Sequence, residues 1–228
     1  MTSQGERAAE TWRDRAFARE RAAGDSMGQF LSLPRRMAVE IVALEDRGPR
    51  VVVDVASGAG AFLAVFLERF PEARGVWSDA SEAMLEQARA ALASHVDRVE
   101  FRLGDMTDLS AIGIPKGVDV LLTSRAVHHL EPAGVAAFYR DAAAHLGPGG
   151  WPVNLDHVGV PEPWDQRLRA VRPRFIPQNP SREVQHHHPP GLATIEQHVE
   201  SFVAAGIGDV EVPWRAFHTA LLMGRKAG

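Results

Sequence analysis

The stretch Val51 to Phe70, "VVVDVASGAGAFLAVFLERF", decides the fold. Val51, Val52, Val53 and Val55 suit a strand buried on both faces, because β-branched side chains pack well on a pleated surface covered from either side. From Ala59 to Phe70 the apolar residues recur at helical spacing, with Glu68 and Arg69 near the polar end. Between the two lies Ala56-Ser57-Gly58-Ala59-Gly60, a segment nearly without side chains. A strand, a stripped turn and a helix form half of a βαβ unit of the nucleotide-binding kind. The bare turn lets a ligand approach the backbone, and the helix N-terminus presents N–H groups that lack an intrahelical acceptor.

Working outward from that unit, the same rhythm repeats. Arg74 to Asp79 reads as a strand and Ser81 to His95 as a helix, with Ser81 as N-cap and Met84, Leu85, Ala88 and Leu92 as its apolar stripe. Val99 to Leu103 and Val118 to Thr123 are a third and fourth strand. A helix over about Pro132 to Leu146 stops at Gly147-Pro148-Gly149-Gly150. Trp151 to Asp156 is a fifth strand. After a helix over about Thr194 to Ala205, "GDVEVPW" and "FHTALLMGRK" lie too close together for a crossover helix, so they pair antiparallel. The prediction is a Rossmann-like, doubly wound α/β sheet of seven strands, mostly parallel with a C-terminal antiparallel strand, and helices on both faces.

Two regions break the alternation. Residues 1–49 are helical, interrupted by "GDSMGQFLSLP", and read as a helical lid or cap on a core spanning 50–228. Residues 157–193 are irregular and proline-rich, an insertion that helps to form a binding site.

Composition bounds the partners. A chain of 228 residues with 45% hydrophobic and 24% charged residues fits one α/β domain, or one domain with a modest insertion, of a soluble globular protein. A formal charge of −4 without a basic block argues against gripping a nucleic-acid backbone. There is no cysteine, so disulfides and thiolate metal sites are excluded. The polar stretch Met1 to Glu20 does not look like a signal peptide, and no run of roughly 18 apolar residues offers a membrane span. A cytoplasmic protein is expected, with no membrane partner.

In a doubly wound sheet the ligand lies outside the carboxyl ends of the strands, and the chemically loaded residues sit there. Gly58 and Gly60 follow the first strand, Asp79 ends the second, Asp105 follows the third, and Ser124 to His129 follow the fourth. Asp79 stands 25 positions beyond Asp54, near the roughly 20-residue spacing at which a carboxylate takes ribose hydroxyls. Asp105 can accept from an adenine amino group while the Met106 N–H donates to the ring. Each carboxylate has a plainer alternative. Asp54 can be a strand-end group satisfied by neighbouring N–H groups, Asp79 a helix N-terminal acid, and Asp105 a turn residue.

The set "DVASGAG", "WSDASEAML", "LGDMTDL", "SRAVHHLEP" and "GPGGW" resembles the class I S-adenosylmethionine-dependent methyltransferases of the small-molecule type. The likeness runs motif by motif over about 50–156 and by topology over 194–225. It implies S-adenosylmethionine as cofactor and S-adenosylhomocysteine as product. By matching position, Asp54, Ala56, Ser57, Gly58 and Gly60 would surround the methionine part, Asp79 with Ala80 the ribose, and Asp105 with Met106 the adenine. Ser124 and Arg125 would approach the methionine end through their backbone. The family usually carries glycine where this chain has Ala56, so φ there is expected to be negative.

The resemblance implies methyl transfer, for which a protein aligns the acceptor, excludes water and, for a hydroxyl, removes a proton. His129 and His128 follow the fourth strand and are the catalytic candidates, against the alternative of helix-start histidines bonded to backbone. The acceptor pocket is expected from the two irregular regions, with Phe30, Trp164, His186 and His187 as substrate residues. Three adjacent histidines at 186–188 point in different directions, so no metal site is expected. The acceptor is a small molecule, plausibly a secondary metabolite, with O, N or C as the atom. Nucleic acid is not expected as a partner, and a homodimer is one option for assembly. An RNA or protein methyltransferase, and a non-catalytic S-adenosylmethionine-binding protein, are the rival readings. A nicotinamide enzyme is disfavoured because position 143, four beyond the single tyrosine Tyr139, is alanine rather than the lysine of a Tyr-x-x-x-Lys dyad.

Overall fold

The structure, a computed structural model, describes residues 26–176 and 191–228. Its elements run α1 (Ser26–Val42), β1 (Val51–Val55), α2 (Ala61–Arg69), β2 (Arg74–Asp79), α3 (Glu82–Ala91), β3 (Val99–Leu103), α4 (Leu109–Ile112), β4 (Val118–Ser124), α5 (Pro132–His145) and β5 (Leu146–His157). They continue with α6 (Glu162–Val171), α7 (Ile195–Ala204), β6 (Ile207–Ala216) and β7 (Thr219–Lys226). The seven strands form one sheet in the order β3-β2-β1-β4-β5-β7-β6. β7 runs antiparallel to both neighbours, and the pairs among β1 to β5 are parallel. Both the doubly wound sheet and its closing hairpin match the expectation.

The strand order follows from the chain's own patterning. β1 buries Val52, Val53 and Val55 completely, so it belongs in the middle of the sheet with helices on either side. On one face α1, α2 and α3 supply Leu31, Val39, Phe62, Phe66, Met84 and Ala88 to a single apolar cluster. On the other, α5 and α7 supply Val135, Phe138, Tyr139 and Phe202 to a second. Alternation along β1 assigns its side chains to faces: Val52 joins the first cluster while Val53 and Val55 join the second, and Asp54 therefore points toward the α1–α2 layer.

Helix ends agree with the caps. Ser81 Oγ accepts from the Met84 N–H at 3.3 Å, and Thr194 with Gln197 forms a reciprocal capping box on α7. Three local expectations are corrected. "GDSMGQFLSLP" is no interruption from Ser26 onward, since α1 runs unbroken through Pro34 to Val42. Leu31, Ala38, Val39 and Val42 on its inner stripe are buried, and this packing outweighs the helix-breaking tendency of one proline. The 157–193 region contains a ten-residue helix, α6, whose Pro161 and Pro163 occupy the cap and first turn where a missing N–H costs nothing. Gly147 to Gly150 does end α5, but it is the start of β5, joined to β4 through an irregular register between Val118 and Val120. No helix among the described residues is long and apolar enough to cross a membrane.

Candidate active site

The strand register brings Asp54, Asp79, the 56–60 loop and Ser124 to one edge of the sheet. Asp54 pairs with Trp77, Val55 with Ser78 and with Thr123, and Asp79 with Leu103. At this edge the loop is strapped to its neighbours. Asp79 Oδ2 accepts from the Gly58 N–H at 2.9 Å, and Trp77 Nε1 donates to the Gly58 carbonyl at 2.8 Å. The Ser57 N–H donates to the Ser78 carbonyl at 2.9 Å. Asp54 Oδ2 accepts from Ser57 Oγ at 2.6 Å and from the Leu63 N–H in the first turn of α2 at 3.2 Å.

Both carboxylates are therefore tied into the fold by hydrogen bonds. Asp79 Oδ1 accepts from the Ser81 N–H at 2.9 Å, and with Gly58 and Ala80 the carboxylate is held by three backbone donors, short of its full acceptor capacity. Burial raises its pKa, against the backbone hydrogen bonds from Gly58, Ser81 and Ala80, which lower it. Asp54 is fully buried, and burial pushes its pKa up to about 7 despite the lowering by Ser57, Leu63 and the Arg35 charge. Its Oδ1 is buried without a partner among the described residues. A buried acceptor of this kind is costly to leave unmet and fits a cationic donor from a ligand.

The loop backbone carries a surprise at Ala56, whose φ is +52°. The expected negative φ is wrong: the turn demands the left-handed region even where the side chain is a methyl, at a cost of about 1–2 kcal/mol. The two glycines differ. A Cβ on Gly58 would meet only Met84 Sδ, at 4.0 Å, whereas one on Gly60 would strike Leu92 Cδ1 at 2.8 Å. Gly58 thus leaves room for a ligand, and Gly60 is required by the packing of α3. Half-buried Asp105 turns its Oδ1 onto the Thr107 N–H and hydroxyl at 3.0 and 2.8 Å, next to half-buried Met106. Ala80 lies half-buried beside Asp79. Ser124 Oγ is buried without a partner among the described residues, and Arg125 follows it at φ +57°. Left-handed backbone thus follows both of the neighbouring strands β1 and β4 at this edge.

Beyond β4 the chain makes a short 3-10 turn, Val127–His129, and both histidines are buried. His128 Nδ1 lies 2.5 Å from Asp156 Oδ1 on β5. Asp156 also accepts from the His157 N–H at 2.7 Å, the His128 N–H at 3.0 Å and the Ala126 N–H at 3.2 Å. Burial raises the Asp156 pKa, but His128 by charge and hydrogen bond overcomes it and holds the carboxyl well below the usual range. Asp156, held ionised, accepts from His128 Nδ1–H, so Nε2 is the ring nitrogen that can exchange a proton. The His129 ring stands 4.0 Å from His128 and that of His157 4.8 Å. Asp156 escaped the sequence reading as a partner of His128 because 28 residues separate them.

Of the substrate candidates, Phe30 packs edge-on against Trp214 at 5.3 Å and lies 6.5 Å from Phe217. Phe217 also contacts Phe175 at 5.9 Å, so an aromatic group gathers at the β6–β7 turn. Thr219, the first residue of β7, pairs with His157, whose ring lies 4.8 Å from that of His128. Trp164 is 57% exposed on α6 and is covered by Arg167 instead. His186 and His187 fall outside the described residues.

Residues 52–150 match a family model described as a methyltransferase domain. The chain is 38% identical over 104 residues to a 3-amino-4-hydroxybenzoate 4-O-methyltransferase of Streptomyces cremeus, covering 45% of this chain and 27% of that protein. It is 30% identical over 178 residues to a trans-aconitate 2-methyltransferase of Azoarcus sp. (strain BH72), covering 71% of this chain and 61% of that one. Among solved structures, human N-acetylserotonin methyltransferase in complex with SAM superposes with a TM-score of 0.65 at 14% identity, covering 96% of this chain and 58% of that chain. The chain spans about half the length of most of the curated relatives it matches. With the sheet order, the strand-end loops and these similarities in hand, residues 52–150 are a methyltransferase domain, similar to the class I S-adenosylmethionine-dependent methyltransferases.

Proposed function

We propose that this protein transfers a methyl group from S-adenosylmethionine to a small molecule bearing an ionisable hydroxyl, and that His128 takes the proton. The observation that carries the reading is the buried His128–Asp156 pair, 2.5 Å apart, at the same strand edge as the 56–60 loop. A carboxylate acceptor needs no base, whereas a hydroxyl does. Among the relatives, the Streptomyces enzyme is named for a hydroxybenzoate and the Azoarcus enzyme for trans-aconitate. The dyad favours the first kind.

The residues present fit the cofactor. The Oδ1 of Asp54, without a partner among the described residues, suits an ammonium, the remaining acceptor capacity of Asp79 suits a ribose hydroxyl, and the open space over Gly58 admits the methionine part. Asp105 with Met106, and Ser124 with Arg125, border the same edge. S-adenosylmethionine, when bound, supplies an electrophilic methyl group on a sulfonium. The protein's work is then to orient and to move a proton. Asp156 holds the His128 ring, Nε2 takes the acceptor proton, and ionised Asp156 stabilises the imidazolium that results. His129 and the Phe30–Trp214–Phe217 group border the acceptor.

The test pairs binding with turnover. S-adenosylhomocysteine, and not NAD, should raise the unfolding temperature. A panel of hydroxybenzoates and plain carboxylates should show methylation of hydroxyls, with His128→Ala losing about 10²–10⁴-fold in rate while binding S-adenosylhomocysteine normally. Methylation of carboxylates alone, indifferent to His128→Ala, would refute the reading.

A further inference from the structure

The turn between β6 and β7 is built against the preference of its own backbone. Ala216 pairs with Thr219, so the loop is the two residues Phe217 and His218, and Phe217 sits at φ +54°. Two-residue hairpin loops need a positive φ at their first position, and glycine, asparagine or aspartate usually supplies it. A bulky aromatic residue is strained there. The turn is held from two sides. The His218 carbonyl accepts from the Val158 N–H at 2.8 Å, and His218 Nε2 donates to Asp165 Oδ1 on α6 at 2.9 Å. The second oxygen of Asp165 accepts from Arg169 Nε at 2.6 Å. Backbone outliers persist where their surroundings over-determine them, and they gather at ligand clamps.

What the strain achieves is the placement of a ring. Phe217 lies 6.5 Å from Phe30, near the start of α1, and 5.9 Å from Phe175, beyond α6. Phe30 and Phe217 are half-buried and Phe175 is 70% exposed, so the three rings form an aromatic surface rather than a core. Strand order fixes where that surface stands. β7 is antiparallel to β5 and begins where β5 ends, with Thr219 opposite His157. The tip therefore belongs to the sheet edge that carries the 56–60 loop and His128. Phe30 and Phe217 also pack on the α1–α2 cluster, the layer toward which Asp54 points. Only β4 and β5 separate β1 from β7, a span of about 14 Å at the usual strand spacing. That leaves room for the methyl donor at β1 and an acceptor ring beside the tip.

We propose that Phe217 determines acceptor specificity: its ring, fixed by the Asp165–His218 clamp, packs against the acceptor, which is a planar aromatic compound bearing the hydroxyl. The assignment rests on the hydroxyl-methylation reading above and narrows it from any ionisable hydroxyl to one carried on an aromatic ring. The chemistry of the base agrees. An aryl hydroxyl, with a pKa near the value of about 10 for tyrosine, is within reach of an imidazole, and an aliphatic alcohol is far less acidic. Asp165 and His218 act through Phe217 and are positioning residues.

Calorimetry with S-adenosylhomocysteine present tests it on matched rings: 4-hydroxybenzoate against 4-hydroxycyclohexanecarboxylate, and 2-naphthol against decahydro-2-naphthol. Wild-type protein should bind at least one aromatic member about tenfold or more tightly than its saturated partner, through offset or edge-to-face ring contact. Phe217→Gly suits the turn and deletes the ring, and should weaken that aromatic ligand about 10- to 100-fold. The same loss should appear in KM rather than kcat. Phe217→Tyr should restore the aromatic preference, and Phe217→Leu, apolar without a ring, should not. S-adenosylhomocysteine affinity within about twofold of wild type shows in the same experiment that each variant is folded. If Phe217→Gly does not fold, Phe217→Leu decides. Wild-type protein that binds no aromatic member, or favours the saturated partners, overturns the assignment, as does an aromatic preference that survives loss of the ring. In those cases retained S-adenosylhomocysteine binding keeps the cofactor reading, and the rate of His128→Ala tests the base independently of ring binding.

Discussion

Replacing Asp54 by asparagine should stabilise this protein at neutral to alkaline pH, and the size of the effect follows from its burial. The carboxyl is fully enclosed, and burial lifts its pKa from 3.8 to about 7. A group with a raised folded-state pKa contributes stability that is complete below its unfolded value and is lost as pH rises through its folded value. With values of about 7 and 3.8, Asp54 contributes about 2–3 kcal/mol more at pH ~5 than at pH ~8. Asparagine keeps an acceptor for Ser57 Oγ and the Leu63 N–H and does not titrate. The stability of wild type relative to Asp54→Asn should therefore fall by about 2–3 kcal/mol across that interval, or roughly 5–10 °C in Tm for a chain of this size. Urea unfolding of both proteins at the two pH values measures it, and Asp79, also raised by burial, cancels in the comparison. S-adenosylhomocysteine should bind the variant about tenfold more weakly, because its ammonium loses an ionised partner. A difference between the two proteins that is the same at both pH values would refute the reasoning.

Three further outcomes follow from named contacts. Ala56→Gly relieves a left-handed φ of +52° and should raise the unfolding free energy by a net ~0.5–1 kcal/mol, after the entropy that glycine adds to the unfolded chain, read as a higher urea midpoint with the slope unchanged. Asp156→Asn takes the charge from a carboxylate accepting from His128 Nδ1 and three backbone N–H groups. It should cost about 2–4 kcal/mol in unfolding and lower methylation about 10²–10⁴-fold, with S-adenosylhomocysteine affinity kept within about twofold. Arg98 donates to the carbonyls of Leu67, Phe70 and Ala73 around the end of α2, at 3.1, 3.2 and 2.8 Å. Arg98→Met should cost about 1.5–3 kcal/mol by thermal or chemical unfolding.

The parts of the site that were legible are those built from neighbours in sequence. The valines of β1, the small residues that follow and the stripe of α2 form one continuous local signal, and Ser81 announces its helix by cap chemistry. The reading failed where tertiary packing outweighs local preference. Pro34 and the glycines before it argued for a break, yet α1 is continuous because Leu31, Ala38 and Val39 anchor it to the sheet. Ala56 argued for a negative φ. The strap from Asp79 and Trp77 to Gly58 forces the turn the other way. The prolines before α6 resembled loop, although two of them stand where a helix can begin.

By itself the amino-acid order determined the alternation of strand and helix, the closing hairpin and the gathering of loaded residues at strand ends. Periodicity, caps and stripped turns act over a few residues and can be read in a line. Only the folded sheet decided that Asp156 would meet His128 across 28 residues, that Trp77 would hold the Gly58 carbonyl, and that the Arg35 charge would act on Asp54. Those neighbours depend on strand register and on which face a helix covers, and both are set by how the whole core packs.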